Sequence, residues 1–438
     1  MKLKPRPPQN FYAALKAAEM PEVPGEFSVV PQHQVIPSAV LAEISDFIHC
    51  FDRVTAREAW QAAALREAPA IVQLRRPEVC FFSAWDFHLP PGSGWQLIEF
   101  NDNGSGFIFA AIINAVYYEA AGLGQEQGIA APARLPAFNQ HIGDLMEQEA
   151  RAFFGERPAG LFLVLDDAES LQRGKFRKEL QLLCDLLHRR GWRAELGCPA
   201  ELRWEGQQLL LKGQAVSFIV NRSTDFFWQS EEFSALRTAY HAGRVYVAPN
   251  PFTYATRSDK RLLEWLSLPD WDKELGIEPG ERQILSNHVP ETHLIRTENV
   301  EALAQRKQEF VFKPLHGFAG RGLLDSAAVG RARLRRLTTH SEGYVAQKWV
   351  PKPSMETDGA SLWTDLRVWA YRGKIFHLSG RASRRPDRLD LTPAGGWLPT
   401  YAALKPCNKE LTVSGETIGT HTSTESQASA LILHQKDE

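Results

Sequence analysis

Two carboxylates and an amide are spaced as metal ligands on neighbouring strands would be. Glu99 and Asn101 lie two residues apart in an apolar run, so on a strand their side chains share one face. Asp86 ends the preceding apolar run, ahead of the turn sequence PPGSG. Carboxylate and amide oxygens are hard ligands that suit Mg²⁺ held mainly by phosphate oxygens. A polar loop with Asx turns after a strand would show the same residues, so both interpretations stay open.

A lysine followed by three glycines could bind an anion. Lys313 ends an apolar run, and Gly317, Gly320 and Gly322 follow it in KPLHGFAGRG. Glycines let backbone N–H groups approach phosphate oxygens, and the lysine adds a positive charge. The segment is not a P-loop, because the lysine precedes the glycines and no GK[ST] follows. An ordinary glycine-rich hairpin explains this segment, taken alone, equally well.

Two arginines, Arg367 and Arg381, lie on either side of a turn at Arg372-Gly373. On the two strands of a hairpin they could face one site and stabilise a transferring phosphoryl group or hold a carboxylate. Solvated arginines on surface strands would give the same spacing. The thirteen histidines show no HExxH or HxH spacing and the five cysteines form no CxxC pair, so neither a zinc site nor a disulfide framework is predicted.

The length, composition and net charge of the chain limit the class of protein to which it can belong. At 438 residues the chain is long enough for two or three domains, and its 44% apolar and 23% charged residues are ordinary for a globular protein. A net charge of -2 argues against a general nucleic-acid or anionic-membrane binder. The chain has no apolar run of about 18 residues. It also has no secretory signal pattern, so a cytoplasmic location is predicted.

The spacing of apolar residues predicts helices and strands along the chain. Apolar residues at helical spacing predict a helix that begins at Pro37 and a second helix over 57–67. Residues 77–110 predict two strands joined by the PPGSG turn. The block 283–404 predicts strands of a mostly antiparallel sheet.

Between these blocks the pattern changes to alternating strands and helices. The apolar runs at 161–167, 216–223 and 244–250, with a helix over 169–190 that ends at Gly191, predict a small parallel α/β domain. Ligands gather at the carboxyl ends of strands in such sheets. The polar residues at those ends are Asn221, Arg222, Asn250 and Thr253.

Taken together, these motifs resemble the ATP-grasp superfamily, which includes ribosomal-protein glutamate ligases, D-alanine–D-alanine ligases and glutathione synthetases. VFKPLHGFAGRG is similar to the family's strand lysine and phosphate loop, and DLRVWAYRGKIFHLSGRAS to its arginine strands. VAQKWV resembles the adenine hinge, and SDKRLLEWL followed by VPETHLI resembles the passage into the first ATP-grasp subdomain. The match implies that the nucleotide contacts Lys260, Lys313, His316, Gly317, Gly320, Arg321, Gly322, Gln347, Lys348, Trp349 and Val350.

The order of the motifs resembles circularly permuted ATP-grasp proteins, among them the amide-forming domain of glutathionylspermidine synthetases. The family's metal ligands, an Asp and then Glu-x-Asn, normally follow the arginine strands. Nothing after Arg381 supplies them, and the pattern occurs early instead. The resemblance therefore implies a metal site of Asp86, Glu99 and Asn101 that permutation has moved to the front of the sequence.

The fold implied by this resemblance is of mixed α+β and α/β class, with two β-rich lobes that clasp ATP beside a small parallel α/β domain. Residues 1–150 would comprise N-terminal helices and the permuted metal-binding strands. A pre-ATP-grasp substrate domain would span 155–270 and the ATP-grasp lobes 280–408. The tail, 409–438, is rich in Ser, Thr, Gln and charge, which predicts flexibility.

The activity implied by the resemblance is that of an ATP- and Mg²⁺-dependent carboxylate–amine ligase. An acyl phosphate would form and react with an amine, with Arg367 and Arg381 as the catalytic residues. The substrates would be small carboxylates and amines, such as amino acids, peptides or polyamines, and neither nucleic acid nor membrane is an expected partner. A small-molecule kinase on the same scaffold and a nucleotide-binding protein without catalysis are the alternatives. The sequence identifies neither the two substrates nor the oligomeric state.

Overall fold

Three larger sheets, with helices packed on them, organise the chain in a computed structural model. The structure describes residues 10–18, 28–66, 68–74, 82–90, 92, 94–316, 322–340, 343–357, 360–386, 389, 391 and 395–404. The strands are β1 (Gln34–Ile36), β2 (Ser83–His88), β3 (Gln96–Asn101), β4 (Leu161–Leu165), β5 (Ala194–Gly197), β6 (Leu202–Glu205), β7 (Gln208–Leu211), β8 (Gln214–Asn221), β9 (Tyr246–Ala248), β10 (Thr292–Leu294), β11 (Phe310–Pro314), β12 (Tyr344–Lys348), β13 (Ser354–Thr357), β14 (Ala360–Thr364), β15 (Leu366–Tyr371), β16 (Lys374–Ser383), β17 (Gly395–Leu398) and β18 (Thr400–Ala402).

The helices lie between these strands along the chain, singly or in groups. They are α1 (Phe11–Ala17), α2 (Ser38–Thr55), α3 (Glu58–Leu65), α4 (Phe107–Ala120), α5 (Leu135–Phe154), α6 (Ala168–Arg173), α7 (Arg177–Arg189), α8 (Ser234–His241), α9 (Pro251–Thr253), α10 (Leu262–Ser267), α11 (Asp272–Leu275), α12 (Pro279–His288), α13 (Val300–Gln305) and α14 (Arg331–Leu337). No helix in the described ranges combines the length and the apolar character needed to cross a membrane.

The largest sheet joins the front of the chain to its rear. Its strand order is β13-β14-β16-β15-β2-β3, with β17 paired to β16 and antiparallel pairing throughout. Arg367 on β15 lies opposite Asp86 on β2, and Asp86 lies opposite Glu99 on β3. The two predicted strands of 77–110 and the antiparallel pattern of the third block are therefore confirmed.

The N-terminal helices cover one face of this sheet. Helix α2 begins after Pro37, as predicted, and α3 lies within the predicted range 57–67. Phe47 and Phe51 of α2 contact the ring of Trp85 edge to face. Trp85 in turn stacks on Phe100 of β3. Burial of these aromatic side chains, each worth roughly 2 kcal/mol or more, fixes the two strands that carry Asp86 and Glu99.

The second sheet contains the predicted parallel strands. β5, β4, β8 and β9 are parallel neighbours, and a hairpin of β6 and β7 continues the sheet in antiparallel fashion. The prediction of one helix over 169–190 is wrong in one respect, because the backbone is extended at Gly174 and separates α6 from α7. Gly191 follows the end of α7 with a φ of 74°, the left-handed conformation expected of a glycine there.

The third sheet is small and antiparallel, with the order β10-β12-β11. Helices α13 and α14 pack on it through a core that includes Val300, Leu303, Phe312 and Leu334. Lys313 lies near the end of β11, in register with Val345 on β12. The apolar run that precedes the lysine is thus a buried strand, as predicted.

Candidate active site

A cleft of about 1660 Å³ lies where the three sheets meet. Its wall combines residues from the front, the middle and the rear of the chain, because each sheet presents strand ends to it. The wall includes the aromatic Trp349, the apolar Val350 and the charged and polar residues Asp86, Glu99, Asn101, Asp166, Asp167, Asn221, Arg222, Asn250, Lys260, Lys313, Gln347, Lys348, Asp365, Arg367 and Arg381.

Asp86 is held by both arginines of the predicted site. Arg367 donates from Nε and Nη2 to the two carboxylate oxygens, at 2.6 Å each. Arg381 donates from Nη2 to Asp86 Oδ2 at 2.8 Å. Burial by itself would raise the pKa of the carboxyl, but the two guanidinium groups outweigh it and lower the pKa to about 2. Asp86 is therefore a charged anchor for the two arginines.

Glu99 and Asn101 present oxygens to the same cleft. Lys260 Nζ lies 3.3 Å from Glu99 Oε1, and the Glu99 side chain is 30% exposed. Asn101 Oδ1 accepts a hydrogen bond from the N–H of Gly104 at 3.2 Å. Gly104 has a φ of 65°, and a Cβ on it would lie 2.1 Å from the Phe82 carbonyl oxygen, so only glycine fits this turn.

The residues present fit Mg²⁺ bound mainly through a ligand's phosphate groups. In the described part of the chain no group of three His, Cys, Asp or Glu side chains is arranged as an all-protein metal site. Mg²⁺ commonly uses one or two carboxylates and takes its other ligands from phosphates and water. Glu99 and the amide oxygen of Asn101 can supply these, whereas Asp86 would first have to release its arginine hydrogen bonds.

Lys313 lies deep in the cleft, where burial lowers its pKa. Its Nζ donates to the carbonyl of Ile98 at 3.1 Å and to Gln347 Oε1 at 2.5 Å. Burial lowers the pKa of Lys313 to about 8, and the positive charge of Lys260 acts in the same direction against the raising effect of Glu99. Lys260 itself donates to the carbonyl of Leu315 at 3.4 Å. Two lysines thus face the Glu99 carboxylate from the β11 side.

The predicted phosphate loop is described only in part. Gly317, Gly320 and Arg321 lie outside the described residues, and Gly322 has a left-handed φ of 73°. His316 is not part of the cleft wall: its Nδ1 is 2.9 Å from Tyr254 Oη, and the residue lines a second cavity of about 540 Å³. The structure does not bring His316 together with the other predicted nucleotide contacts, because Tyr254 and the ring of Phe227 hold it.

The segment 347–350 lines the cleft, but several of its backbone groups already have partners. The N–H groups of Lys348 and Trp349 donate to the carbonyls of Glu291 and Glu309, each at 2.7 Å. The Val350 carbonyl lies 3.0 Å from Nδ1 of His88, a ring nitrogen that must carry the proton to donate there. Trp349, within this segment, is 53% exposed, and its indole ring offers an aromatic face to a ligand.

Asp365 is a functional candidate that the sequence showed only as part of a motif. It is buried and holds Arg381 through Nε at 2.8 Å, through Nη2 at 2.5 Å and through the backbone N–H at 2.7 Å. Burial alone would lower the pKa of Arg381, but the carboxylates of Asp365 and Asp86 raise it above the ordinary arginine value. The signal available in the sequence was the position of Asp365 directly before the strand that carries Arg367.

The parallel sheet contributes a polar wall at the carboxyl ends of its strands. Asn221, Arg222 and Asn250 line the cleft as the strand-end rule predicts, whereas Thr253 is engaged by Asn250, the N-cap of α9: its hydroxyl accepts from the Asn250 N–H and its own N–H donates to Asn250 Oδ1. Burial raises the pKa of Asp166, at the end of β4, to about 6. The sequence pattern at 161–167 ends in Asp166 and Asp167 and could have identified this carboxylate.

Arg222 connects this wall to the turn that follows β3. Its Nε donates to Asn103 Oδ1 at 3.0 Å, and its backbone carbonyl accepts from Asn103 Nδ2 at 3.0 Å. Glu179 pairs with Arg222 and also accepts from the first N–H groups of α4. The parallel sheet is thus hydrogen-bonded to the turn that directly follows the strand of Glu99 and Asn101.

Comparison with known proteins identifies the fold. No protein-family model and no curated protein sequence matches the chain. A putative γ-glutamylcysteine synthetase from Methylobacillus flagellatus superposes with a TM-score of 0.43 at 12% identity, over 84% of this chain and 88% of that protein, a score too low to bear on the fold. A glutathione synthetase-like effector from Globodera pallida, solved in its apo form, superposes with a TM-score of 0.56 at 12% identity, over 90% of this chain and 96% of the effector. At this identity the likeness concerns the fold alone, and the chain shares the overall fold of a glutathione synthetase-like effector.

Proposed function

We propose that this chain is an ATP-dependent carboxylate–amine ligase that acts through an acyl phosphate. The observation that carries the proposal is the meeting of a carboxylate strand, a buried lysine and two arginines in one cleft, although Asp86 and Arg367 are 281 positions apart in the sequence. Such a combination matches the charge pattern of phosphoryl transfer to a carboxylate, in which both reactants are anionic and cationic groups must hold them together.

The proposed reaction has two steps. A carboxylate oxygen of the first substrate attacks the γ-phosphorus of ATP, the bond from that phosphorus to the β–γ bridging oxygen breaks, and ADP leaves. The amine nitrogen of the second substrate then attacks the acyl carbon, phosphate leaves with the bonding electron pair, and the nitrogen loses a proton. Lys313 and Lys260 would neutralise the phosphate oxygens in the first step. Arg381 would stabilise the negative charge on the acyl phosphate and on the tetrahedral intermediate.

Glu99 and Asn101 would hold Mg²⁺ in this site. The ion, when bound, supplies charge neutralisation between the phosphates and the protein. The aromatic face of the Trp349 side chain would receive the base, because the backbone N–H groups of Lys348 and Trp349 already have partners. The acid and the amine would bind against the polar wall formed by the ends of β4, β8 and β9.

We further propose that the chain is a circular permutation of the ATP-grasp arrangement. The pairing of β2, near the front, with β15, near the rear, supports this, because it brings the carboxylate strands next to the arginine strands after a long excursion of the chain. The proposed division is residues 1–150 for the N-terminal helices and the permuted strands, 155–270 for the substrate domain and 280–408 for the lobes.

The first expected result concerns nucleotide binding. A non-hydrolysable ATP analogue should raise the thermal unfolding midpoint of the protein, and the rise should be much larger with Mg²⁺ than with EDTA, because the metal would join the phosphates to Glu99. Differential scanning fluorimetry measures this directly. No stabilisation under either condition would contradict nucleotide binding in the cleft.

The products distinguish a ligase from the alternatives. Purified protein with ATP, Mg²⁺ and pooled amino acids, short peptides and polyamines should release ADP and inorganic phosphate in equal amounts together with a new amide. ADP with a stable phosphorylated product, and no free phosphate, would instead identify a kinase. Analogue binding without ADP release from any pool would favour a non-catalytic nucleotide-binding protein.

The lowered pKa of Lys313 predicts how the affinity of the protein for the ATP analogue depends on pH. Below its pKa of about 8 in the free protein the lysine is charged and attracts the phosphates. As the pH rises through that value the free protein loses this charge, while bound phosphate raises the pKa in the complex. The dissociation constant should therefore stay nearly constant up to about pH 8 and then increase by up to about tenfold per pH unit.

Isothermal titration between about pH 7 and 9.5 at constant Mg²⁺ tests this dependence. Lys313→Arg keeps a charge throughout this interval and should flatten the curve. Lys175→Met removes an exposed lysine from the wall of the same cleft and should leave the rise unchanged. A rise of equal slope in Lys313→Arg would show that another group is responsible.

A further inference from the structure

Four charged side chains meet on β2, on β15 and β16, and at the residue just before β15. They are Asp86, Asp365, Arg367 and Arg381, and none of these side chains is more than 22% exposed. Two negative and two positive charges balance there. Because water is largely excluded, a change at one member must be compensated by the others or by a ligand.

The two arginines differ in their carboxylate partners. Arg381 contacts both Asp86 and Asp365, and the carboxylate that Arg367 contacts within the described ranges is Asp86. Exposure does not separate them, since the Arg367 and Arg381 side chains are 16% and 22% exposed. The difference between the arginines therefore lies in Asp365.

Asp365 is itself fixed in the sheet. It is the single residue between β14 and β15, and its N–H donates to the carbonyl of Arg381 at 3.1 Å. Its own carbonyl accepts from Gln34 Nε2 at 2.9 Å. Next to Arg381, a Cβ on Gly380 would come within 2.7 Å of that same carbonyl oxygen, so the close approach depends on glycine. These contacts give Arg381 a rigid partner.

Charge balance then indicates which arginine can move. Both oxygens of Asp86 accept from arginines, so this carboxylate cannot turn toward another cation without losing some of these hydrogen bonds. If the Asp86 carboxylate turns away, one of the two guanidinium charges is no longer balanced by a carboxylate. Arg381 keeps Asp365, whereas Arg367 loses its carboxylate, and an anionic oxygen in the cleft is the group that could replace it.

We infer that Asp365 is a positioning residue that keeps Arg381 in place, and that Arg367 exchanges Asp86 for an oxygen of the bound phosphates when nucleotide occupies the cleft. The inference rests on the proposed function and deepens it. Arg381 is a fixed charge, and Arg367 is a charge released by ligand binding. Asp86 serves as the internal anion that holds Arg367 until then.

The Nε–H signals of the two arginines test this directly, because Arg367 Nε donates to Asp86 and Arg381 Nε to Asp365. Spectra of the protein with isotope-labelled arginine are recorded with and without Mg²⁺ and the non-hydrolysable ATP analogue, and Arg367→Lys and Arg381→Lys assign the signals. The Arg367 signal should shift on binding while the Arg381 signal stays. In the free protein, Asp365→Asn should move the Arg381 signal, and Asp86→Asn should move the Arg367 signal most.

The outcomes separate this inference from the proposed function. Analogue binding that leaves the Arg367 signal in place, or shifts both signals alike, overturns the exchange of partners. An Arg381 signal that is unchanged in Asp365→Asn overturns the positioning role. A wild-type protein that the analogue neither stabilises nor perturbs overturns the proposed function as well as the exchange. The wild-type titration requires no variant to fold, so the test does not depend on the stability of Asp365→Asn.

Discussion

Replacing Glu99 with glutamine is expected to reduce ATP turnover by about 100-fold or more, since a metal ion contributes several kcal/mol of transition-state stabilisation. Glu99 is the carboxylate that β3 presents to the cleft, and its side chain is 30% exposed there, whereas the Asp86 side chain is 8% exposed and pairs with Arg367 and Arg381 in the structure. Glutamine keeps the shape of the side chain and removes its charge. The rate of ADP release measures the turnover. In the same variant, the part of the thermal stabilisation by the ATP analogue that depends on Mg²⁺ should disappear.

Glu169 provides the matched control. It lines the same cleft from α6, but its side chain is 82% exposed, and its contact with Arg173 spans 3.8 Å at the surface. Glu169→Gln removes an equal charge and should leave both turnover and Mg²⁺-dependent stabilisation close to wild type. If Glu99→Gln and Glu169→Gln behaved alike, the loss would reflect the general charge of the cleft, and the metal assignment to Glu99 would be wrong.

The strands that carry the site could be predicted because their signals are local. The turn at PPGSG and the apolar runs on either side of it give β2 and β3, and the turn at Arg372-Gly373 gives the hairpin of β15 and β16. The pairing of β2 with β15 has no local signal. Only the resemblance in motif order indicated it, since strands so distant in sequence pair through tertiary packing.

The partners of the side chains could not be read from the sequence for a similar reason. Asp86 has the residue type and spacing of a metal ligand, yet its carboxylate pairs with two arginines from other strands. His316 follows the strand lysine as in the expected loop, but Tyr254 holds its ring. Hydrogen bonds and ion pairs depend on distances of a few tenths of an ångström between elements, which periodicity does not determine.

The break at Gly174 shows a limit of periodic patterns themselves. The apolar residues after 169 keep helical spacing, and one glycine inside such a pattern is compatible with a continuous helix at a cost of about 1 kcal/mol. In the structure the N–H of Gly174 donates to the Ser170 carbonyl and the chain then turns, so α6 and α7 have separate axes and both border the cleft. Tertiary contacts of α7 with β4 and β5 override the local pattern.

Replacing Arg381 with methionine is expected to abolish turnover and also to destabilise the fold. The change leaves Asp365 buried without a cation, while Asp86 keeps Arg367. Removing one partner of a buried ion pair typically lowers the free energy of unfolding by about 3–5 kcal/mol. Because Arg381 is partly exposed, we expect a loss near the lower end, about 3 kcal/mol. The thermal unfolding midpoint should fall by several degrees, and ADP release should fall to background.

A second substitution separates the two effects. Adding Asp365→Asn to Arg381→Met removes the uncompensated charge and leaves the neutral pair of Asp86 and Arg367, so most of the lost stability should return. Turnover should not return, because the fixed positive charge of the cleft is still missing. A double variant that regained both would show that Arg381 acts only by supporting the fold. A double variant that regained neither would show that Asp365 does more in the sheet than hold Arg381.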